Sequence, residues 1–238
     1  MAKLRFNLTD RDRAILRFLW RWKVVSSSAL CYKFYPTMKG ITSYNKLLKL
    51  KNRKLVKAVH LGDSVGHAWT LNDLGYKYVS TSLPELAQKG YKSDTIYHDF
   101  LTSAFHIGPW LDGLPDNCEV FSEQQIKRYH SDFYPPWLPD LETHRSDGYW
   151  SVYNNYGRQI ISLEIEISEK SKSRYQKVKD FYDYYESIQN VVWVTTDLPL
   201  AKRLLRRLSE SDQSKPNKHN FLLLNDILKN NWTSKFVL

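Results

Sequence analysis

The sequence predicts an α/β protein of the α+β kind, divided into two domains, and three observations carry that prediction. Residues 1–80 pattern as three short amphipathic helices followed by two strand-like runs. From residue 94 onward, helical and strand-like runs alternate in an order that suits one mixed sheet flanked by helices. The charge is also polarised. Of the net +10, residues 1–80 hold 16 Lys/Arg and 4 Asp/Glu (+12), and the remainder holds 19 and 21 (−2). A chain of 238 residues is long enough for one large domain or two small ones.

In the first third, Thr9-Asp10 marks a helix start with Thr9 as N-cap, and Ile15, Leu16, Phe18, Leu19 and Trp22 form its apolar stripe. Ser26-Ser27-Ser28 caps a second helix bearing Leu30, Tyr32 and Phe34, which Pro36 stops. A third helix is expected over Lys39–Lys54, with Tyr44, Leu47, Leu48 and Leu55 buried. Lys39, Thr42, Ser43, Asn45, Lys46, Lys49 and Arg53 are then left on its open side. Two strands, Leu55–Leu61 and His67–Leu71, flank a hairpin tip at Gly62–Gly66, and a further helix starts near Leu71. Three helices and a hairpin resemble a winged helix-turn-helix. That resemblance implies that the third helix enters the major groove of double-stranded DNA, with its lysines, arginine and hydroxyls on phosphates and base edges. The positive excess in this third of the chain fits such a module.

Residues 81–93 read as a linker, which sets the domains at 1–80 and 94–238. The second domain opens with a helix over Asp94–Ile107 and a turn-rich stretch over Gly108–Asn117. A strand over Cys118–Gln125 and an aromatic, proline-rich loop at Tyr134–Pro139 follow. Asn154-Asn155-Tyr156-Gly157 is a turn between two strand-like runs, giving a hairpin over 146–167. A helix over Glu169–Ile188 turns Tyr175, Val178, Phe181, Tyr182 and Tyr185 inward. Val191–Thr195 reads as a buried strand, Pro199–Leu208 as a basic helix and Phe221–Leu224 as a last strand.

The candidate chemistry lies on the hairpin. In Ser162–Glu169 the apolar Leu163, Ile165 and Ile167 alternate with Glu164 and Glu166, so both carboxylates share one face. If the hairpin pivots between Asn155 and Tyr156, Asp147 falls opposite Glu164 on that face. Buried carboxylates need compensation, and a hard divalent cation such as Mg²⁺ or Mn²⁺ supplies it. Lys170 can reach back over the acids. Three carboxylates, a metal and a lysine suit hydrolysis of a phosphodiester. The competing reading leaves Glu164 and Glu166 on the solvated face of an edge strand, with Lys170 an ordinary charge at a helix start.

The order α-β-β-β-α-β with these residues resembles the PD-(D/E)xK, restriction-endonuclease-like nucleases. Ser146-Asp147 stands where Pro-Asp would be, Glu164-Ile165-Glu166 stands for acidic-x-Lys, and Lys170 fits migration of the lysine to the next helix. With the N-terminal module, the stretch from Arg145 through Lys170 to Arg174-Tyr175 is similar to the MobC-type plasmid mobilisation relaxases and the wider replication-relaxation family. The resemblance implies an enzyme that recognises a plasmid transfer origin and nicks one strand. It also implies catalytic Asp147, Glu164, Glu166 and Lys170, metal on the three acids, and an accessory mobilisation protein as partner. A homodimer is compatible with it.

Other features narrow the classes. No run is long enough for a membrane span, and the first residues lack a signal-peptide pattern, so a cytoplasmic location is expected. Cys31 and Cys118 cannot build a zinc site by themselves. The seven histidines are scattered with no His-x-His pair, which favours a water-based cut over a histidine-metal and tyrosine-nucleophile relaxase. Tyr182, Tyr184 and Tyr185 remain a nucleophile candidate against a core role. His98-Asp99 is a water or phosphate ligand, or a cap or core residue. Glu123, on the first strand, is a candidate supporting acid, against an ordinary structural role. Lys170, Arg174 and Lys177, and the run Lys202, Arg203, Arg206 and Arg207, either clamp phosphates or solvate their helices. Tyr134–Trp137 either stacks on unpaired bases or packs inside the protein. A different class also fits: a non-catalytic DNA-binding regulator of plasmid or phage replication or transcription, whose nuclease-like domain dimerises or binds a partner. A restriction-like or transposition nuclease would differ by cutting both strands.

Overall fold

The computed structural model describes residues 7–62, 66–91, 95–107, 117–209 and 218–225. Among these residues the chain is mixed α+β, with two sheets, one of three strands and one of five. Two units emerge: Met1–Gly113 with Lys127–Phe133, and Leu114–Ile126 with Tyr134–Leu238.

The first unit runs α1 (Asp10–Trp22), β1 (Val25–Ser26), α2 (Ser27–Phe34), α3 (Gly40–Asn52), β2 (Val56–His60), β3 (His67–Leu71), α4 (Asp73–Ser80) and α5 (Ile96–Ile107). The starts of α1 and α2 follow from sequence chemistry. The Thr9 hydroxyl accepts from the Asp12 amide while the Asp12 carboxylate accepts from the Thr9 amide, a closed capping box. The Ser26 hydroxyl accepts from the Ala29 amide at 3.1 Å. On α1, Trp20 joins Ile15, Leu16, Leu19 and Trp22 in the core. The short β1 completes an antiparallel sheet in the order β1-β3-β2. Residues 63–65 of the expected hairpin tip lie outside the described residues. Gly75 of α4 lies against the Leu55 backbone so closely that a Cβ would sit 1.9 Å from the Leu55 carbonyl oxygen, which leaves room for glycine alone.

The expected linker and domain start are corrected. Tyr91 is buried, and its hydroxyl accepts from the Leu71 amide, pairs with the Thr70 hydroxyl at 2.6 Å and donates to the Lys23 carbonyl at 2.6 Å. Leu86 bridges to Tyr129, and Trp20 stacks on Tyr129 at 5.5 Å. The α5 helix belongs to this first unit. Lys23 Nζ meets Asp99 Oδ1 at 2.7 Å in a buried ion pair, the Ser103 hydroxyl donates to the Val24 carbonyl, and His106 lies against Trp22. Partners scattered over separate segments, which no local pattern reveals, hold these residues in place. Residues 108–116 of the expected turn-rich stretch, and 92–94, lie outside the described residues.

The second unit runs β4 (Cys118–Ser122), α6 (Glu123–Arg128, leaving this unit after Ile126), β5 (Gly148–Asn154), β6 (Gly157–Glu166), α7 (Lys172–Tyr184), β7 (Ile188–Thr195), α8 (Leu198–Ser209) and β8 (His219–Leu223). Its sheet has the order β4-β5-β6-β7-β8, antiparallel from β4 to β6 and parallel from β6 to β8. The hairpin turn is where the sequence sets it: Asn154 pairs with Gly157, whose φ of +104° lies in the left-handed region. The first strand ends earlier than expected, because Ser122 and Gln125 bond each other and start α6. The expected Glu169–Ile188 helix begins at Lys172 under a Ser171 N-cap and ends at Tyr184. Lys218 closes that end by donating to the carbonyls of Tyr182, Tyr185 and Ile188. Asp197 caps α8 through the Leu200 amide at 2.8 Å.

Candidate active site on the central strand

β6 is the middle strand of the five, so the edge-strand reading of its acids fails. Glu164 is 9 % exposed and Glu166 4 %. The register expected from the turn holds. Gly148 pairs with Leu163, the Asp147 amide donates to the Leu163 carbonyl at 3.0 Å, and Asp147 therefore stands across from Glu164. One Asp147 carboxylate oxygen accepts the Ile165 amide at 2.7 Å, continuing the ladder beyond the end of β5.

Ser162, Glu164 and Glu166 share the face that α7 covers. Two tyrosines on α7, seven residues apart, serve that face. The Tyr182 hydroxyl bonds both Ser162 and Glu164, and Tyr175 lies beside Glu166. Glu164 Oε1 also meets His144 Nε2 at 2.6 Å. Burial pulls the His144 imidazole down, but the charge and hydrogen bond of Glu164, helped by Asp147, outweigh it and raise its pKa. Burial pushes Tyr182 well above the ordinary phenol, with the Glu164 charge adding to it.

At Glu166, Lys170 Nζ donates to Oε2 at 3.0 Å, and the Lys170 amide donates to the Tyr175 hydroxyl at 2.8 Å. Lys170 precedes α7, so it does not share a helix face with Arg174 and Lys177, both of which are exposed. Burial raises the Glu166 carboxyl despite the Lys170 charge, and the nearby Glu164 charge adds to the rise. Burial also pushes the Tyr175 phenol up to about 12. Glu169 is gripped by Arg203 at 3.1 Å and Arg207 at 2.6 Å, which gives those two α8 cations a structural partner.

The two glutamates are compensated by the protein itself, by His144 and Tyr182 for one and by Lys170 for the other. A cation is therefore not required to explain their burial. The donor set nevertheless suits a hard divalent ion at two positions. Glu166 Oε1 is buried without a hydrogen-bond partner, and both contacts of Glu164 fall on Oε1 and leave Oε2 open. Among the described residues no three His, Cys, Asp or Glu side chains stand together in a metal-sized group. One Asp147 oxygen, Oδ2, is already engaged by the Ile165 amide.

On α3 the expected face is present with one correction. Lys39, Thr42, Asn45, Lys49 and Arg53 are exposed and Lys46 is half-buried, but Ser43 is 1 % exposed. Leu47 and Leu55 are buried as expected, but Ser43 and Leu50 complete the inner side in place of Tyr44 and Leu48, which are half-buried. The Ser43 hydroxyl satisfies itself on the Lys39 carbonyl at 3.2 Å, which is what permits a serine inside.

Several of the remaining candidates have structural partners, while Tyr184 is 77 % exposed. Asp99 is paired with Lys23, and Tyr182 is core. Glu123 starts α6 rather than lying on the first strand, and Trp137 is 9 % exposed with its indole on Glu119 at 2.8 Å. Sequence reasoning missed His144 altogether. Its only signal is its place three residues before Asp147, and no spacing rule ties it to Glu164. Among the described residues no helix is long and apolar enough to cross a membrane. Comparison with known protein families, with curated proteins and with solved structures found no match.

Proposed function

We propose that the chain is a DNA-binding, metal-dependent endonuclease that nicks one strand at a plasmid transfer origin. In this reading the first unit is a winged helix-turn-helix and the second a PD-(D/E)xK-like domain of the MobC relaxase kind. The observation that carries it is the hairpin register, which sets Asp147 across from Glu164, with Glu166 two residues along and Lys170 on Glu166. The mixed sheet supports it, with the acids on a central strand that is antiparallel to β5 and parallel to β7. In the first unit, the order helix, short strand, two helices and hairpin supports the duplex-binding half. The α5 helix, which such a nuclease core would use as its first helix, groups instead with the first unit.

Glu164 and Glu166, joined by Asp147, would hold Mg²⁺ or Mn²⁺. That ion would supply an activated water and neutralise charge on the phosphate. The chain's own part is positional. Tyr175 fixes the backbone of Lys170, and Glu166 fixes its ammonium, which orients the attacking water and stabilises the pentavalent phosphorus. The water oxygen bonds to phosphorus and gives up its proton to solvent as one P–O bond of the backbone breaks, and the departing oxygen is protonated from solvent. No covalent protein–DNA link forms, in keeping with a Tyr182 hydroxyl already committed to Ser162 and Glu164.

The test is nicking of supercoiled plasmid carrying the cognate origin by wild type and Asp147→Ala, with Mg²⁺, Mn²⁺ or EDTA. Open circles with wild type and metal alone are expected. Equal nicking by Asp147→Ala would remove the site. A thermal-shift arm reads the ion directly: Mn²⁺ should raise the wild-type Tm and leave Glu166→Gln unmoved. The engagement of Glu164 by His144 and Tyr182 favours a second reading, the non-catalytic regulator. Specific binding of the origin with no cleavage in any metal, and no shift with Mn²⁺, would establish it.

A further inference from the structure

A cavity of about 430 Å³ opens between the start of α1 and the second half of α3. Its wall carries four cations: Arg11 from α1, and Lys46, Lys49 and Arg53 from α3 and its C-cap. The three on α3 recur at i, i+3 and i+7 and so share one side of the helix. Two contacts fix the shape of the opening. The Arg11 guanidinium lies 5.1 Å over the ring of Tyr35, and Arg53 Nη1 donates to the Asn7 carbonyl at 3.1 Å. The wall also carries one acid, Asp12, whose carboxylate accepts the Thr9 amide in the α1 capping box, so four cations and one anion leave a net charge of about +3 around the cleft. Among the described residues no carboxylate stands within ion-pair distance of Arg11, Lys46, Lys49 or Arg53.

Four cations around one void repel each other, and the single carboxylate of Asp12 offsets only part of that charge. We infer that this cleft is a phosphate-binding site. A phosphate offers several acceptor oxygens and a charge that the guanidinium forks of Arg11 and Arg53 can pair in plane, with the two lysines as point charges. The volume falls in the range of small-ligand pockets and would admit a phosphate with its attached sugar. Two sources carry this group, a nucleic-acid backbone and a free nucleotide. The backbone source rests on the proposed DNA-binding role of the first unit, and the free source does not. Lys46, Lys49 and Arg53 belong to the α3 face expected to meet the duplex, and Arg11, on α1, is the cleft cation that lies outside that face.

The experiment compares wild type, Arg11→Ala, Arg11→Lys and Lys49→Ala for duplex binding across a salt series. Thermal shift with pyrophosphate and with a nucleoside monophosphate forms the second arm. Lys39→Ala and Asn45→Ala, both outside the cleft, report on the duplex-facing side of α3. For a backbone phosphate, Arg11→Ala should lower the slope of log affinity against log salt by about 0.9, with Arg11→Lys restoring it. For a free nucleotide, the small probes should raise the wild-type Tm and fail to raise that of Arg11→Ala or Lys49→Ala. If duplex binding is absent and the small probes still bind, the DNA reading falls and the phosphate site stands. If Arg11→Ala matches wild type in salt slope and neither small probe shifts the Tm, the site is overturned. Loss of duplex binding in Lys39→Ala alone would not rescue it.

Discussion

Glu164 Oε1 lies 2.6 Å from His144 Nε2 and also takes the Tyr182 hydroxyl, so a carboxylate on the central strand is balanced by an imidazole from the loop before β5. This changes the argument for the site. Buried acids on an otherwise apolar strand call for compensation, and the chain supplies much of it from its own side chains. A metal, if it binds, does so on oxygens left over from that arrangement.

The pair predicts a pH-dependent stability. His144→Ala should cost about 3 kcal/mol, because it leaves Glu164 buried without its cation. The folded pKa of His144 is raised above its ordinary value of 6.5. Its contribution is therefore fully present below that value and is lost as pH rises through the folded pKa. Urea unfolding of both proteins should show a wider stability gap at about pH 6 than at about pH 9. A gap that stays the same or widens at the higher pH would mean that the imidazole is neutral in the fold.

Local chemistry made the hairpin legible: a turn at Asn155-Tyr156 fixes the register, and the register alone sets Asp147 across from Glu164. Caps at Thr9 and Ser26 were legible for the same reason. What was hidden depends on distant partners. Alternation in 162–167 suits a half-solvated strand as well as a central one, and only the pairing of β6 with both β5 and β7 decides between them. On α3, Leu47 and Leu55 are buried as expected, but Tyr44 and Leu48 are only half-buried, and Ser43 takes the inner position because its hydroxyl is satisfied on its own helix. The linker reading of 81–93 failed on Tyr91, a single aromatic whose hydroxyl ties four backbone and side-chain groups.

His219, on β8, predicts the acid limb of stability. Burial first, and then the Lys218 charge, lower its pKa from 6.5 to about 4, and its Nδ1 accepts the Trp193 indole at 3.1 Å. The folded state thus holds the neutral ring while the unfolded chain takes a proton. Stability is unaffected above about pH 6.5 and falls as pH drops from there toward 4, by about 3 kcal/mol in all. His219→Asn keeps an acceptor for Trp193 and removes the titration. Thermal melts from neutral pH down to about pH 4.5 should show a steeper decline for wild type than for this variant. Parallel declines would assign acid loss to other groups.

The buried pair Lys23–Asp99 predicts how firmly α5 is held. Its side chains are 9 % and 3 % exposed and meet at 2.7 Å, 76 residues apart in the chain. Asp99→Leu strands an ammonium in the core and should cost about 4 kcal/mol. Lys23→Met should cost a similar amount by stranding the carboxylate. The two together remove both charges, and an apolar pair of similar volume often matches or exceeds a buried ion pair in stability. The double variant Lys23→Met/Asp99→Leu should therefore recover most of the loss, giving a coupling of several kcal/mol in a urea double-mutant cycle. Additive losses would mean that each residue is held by its other neighbours, and that the fixing of α5 rests on Ser103 and His106 instead.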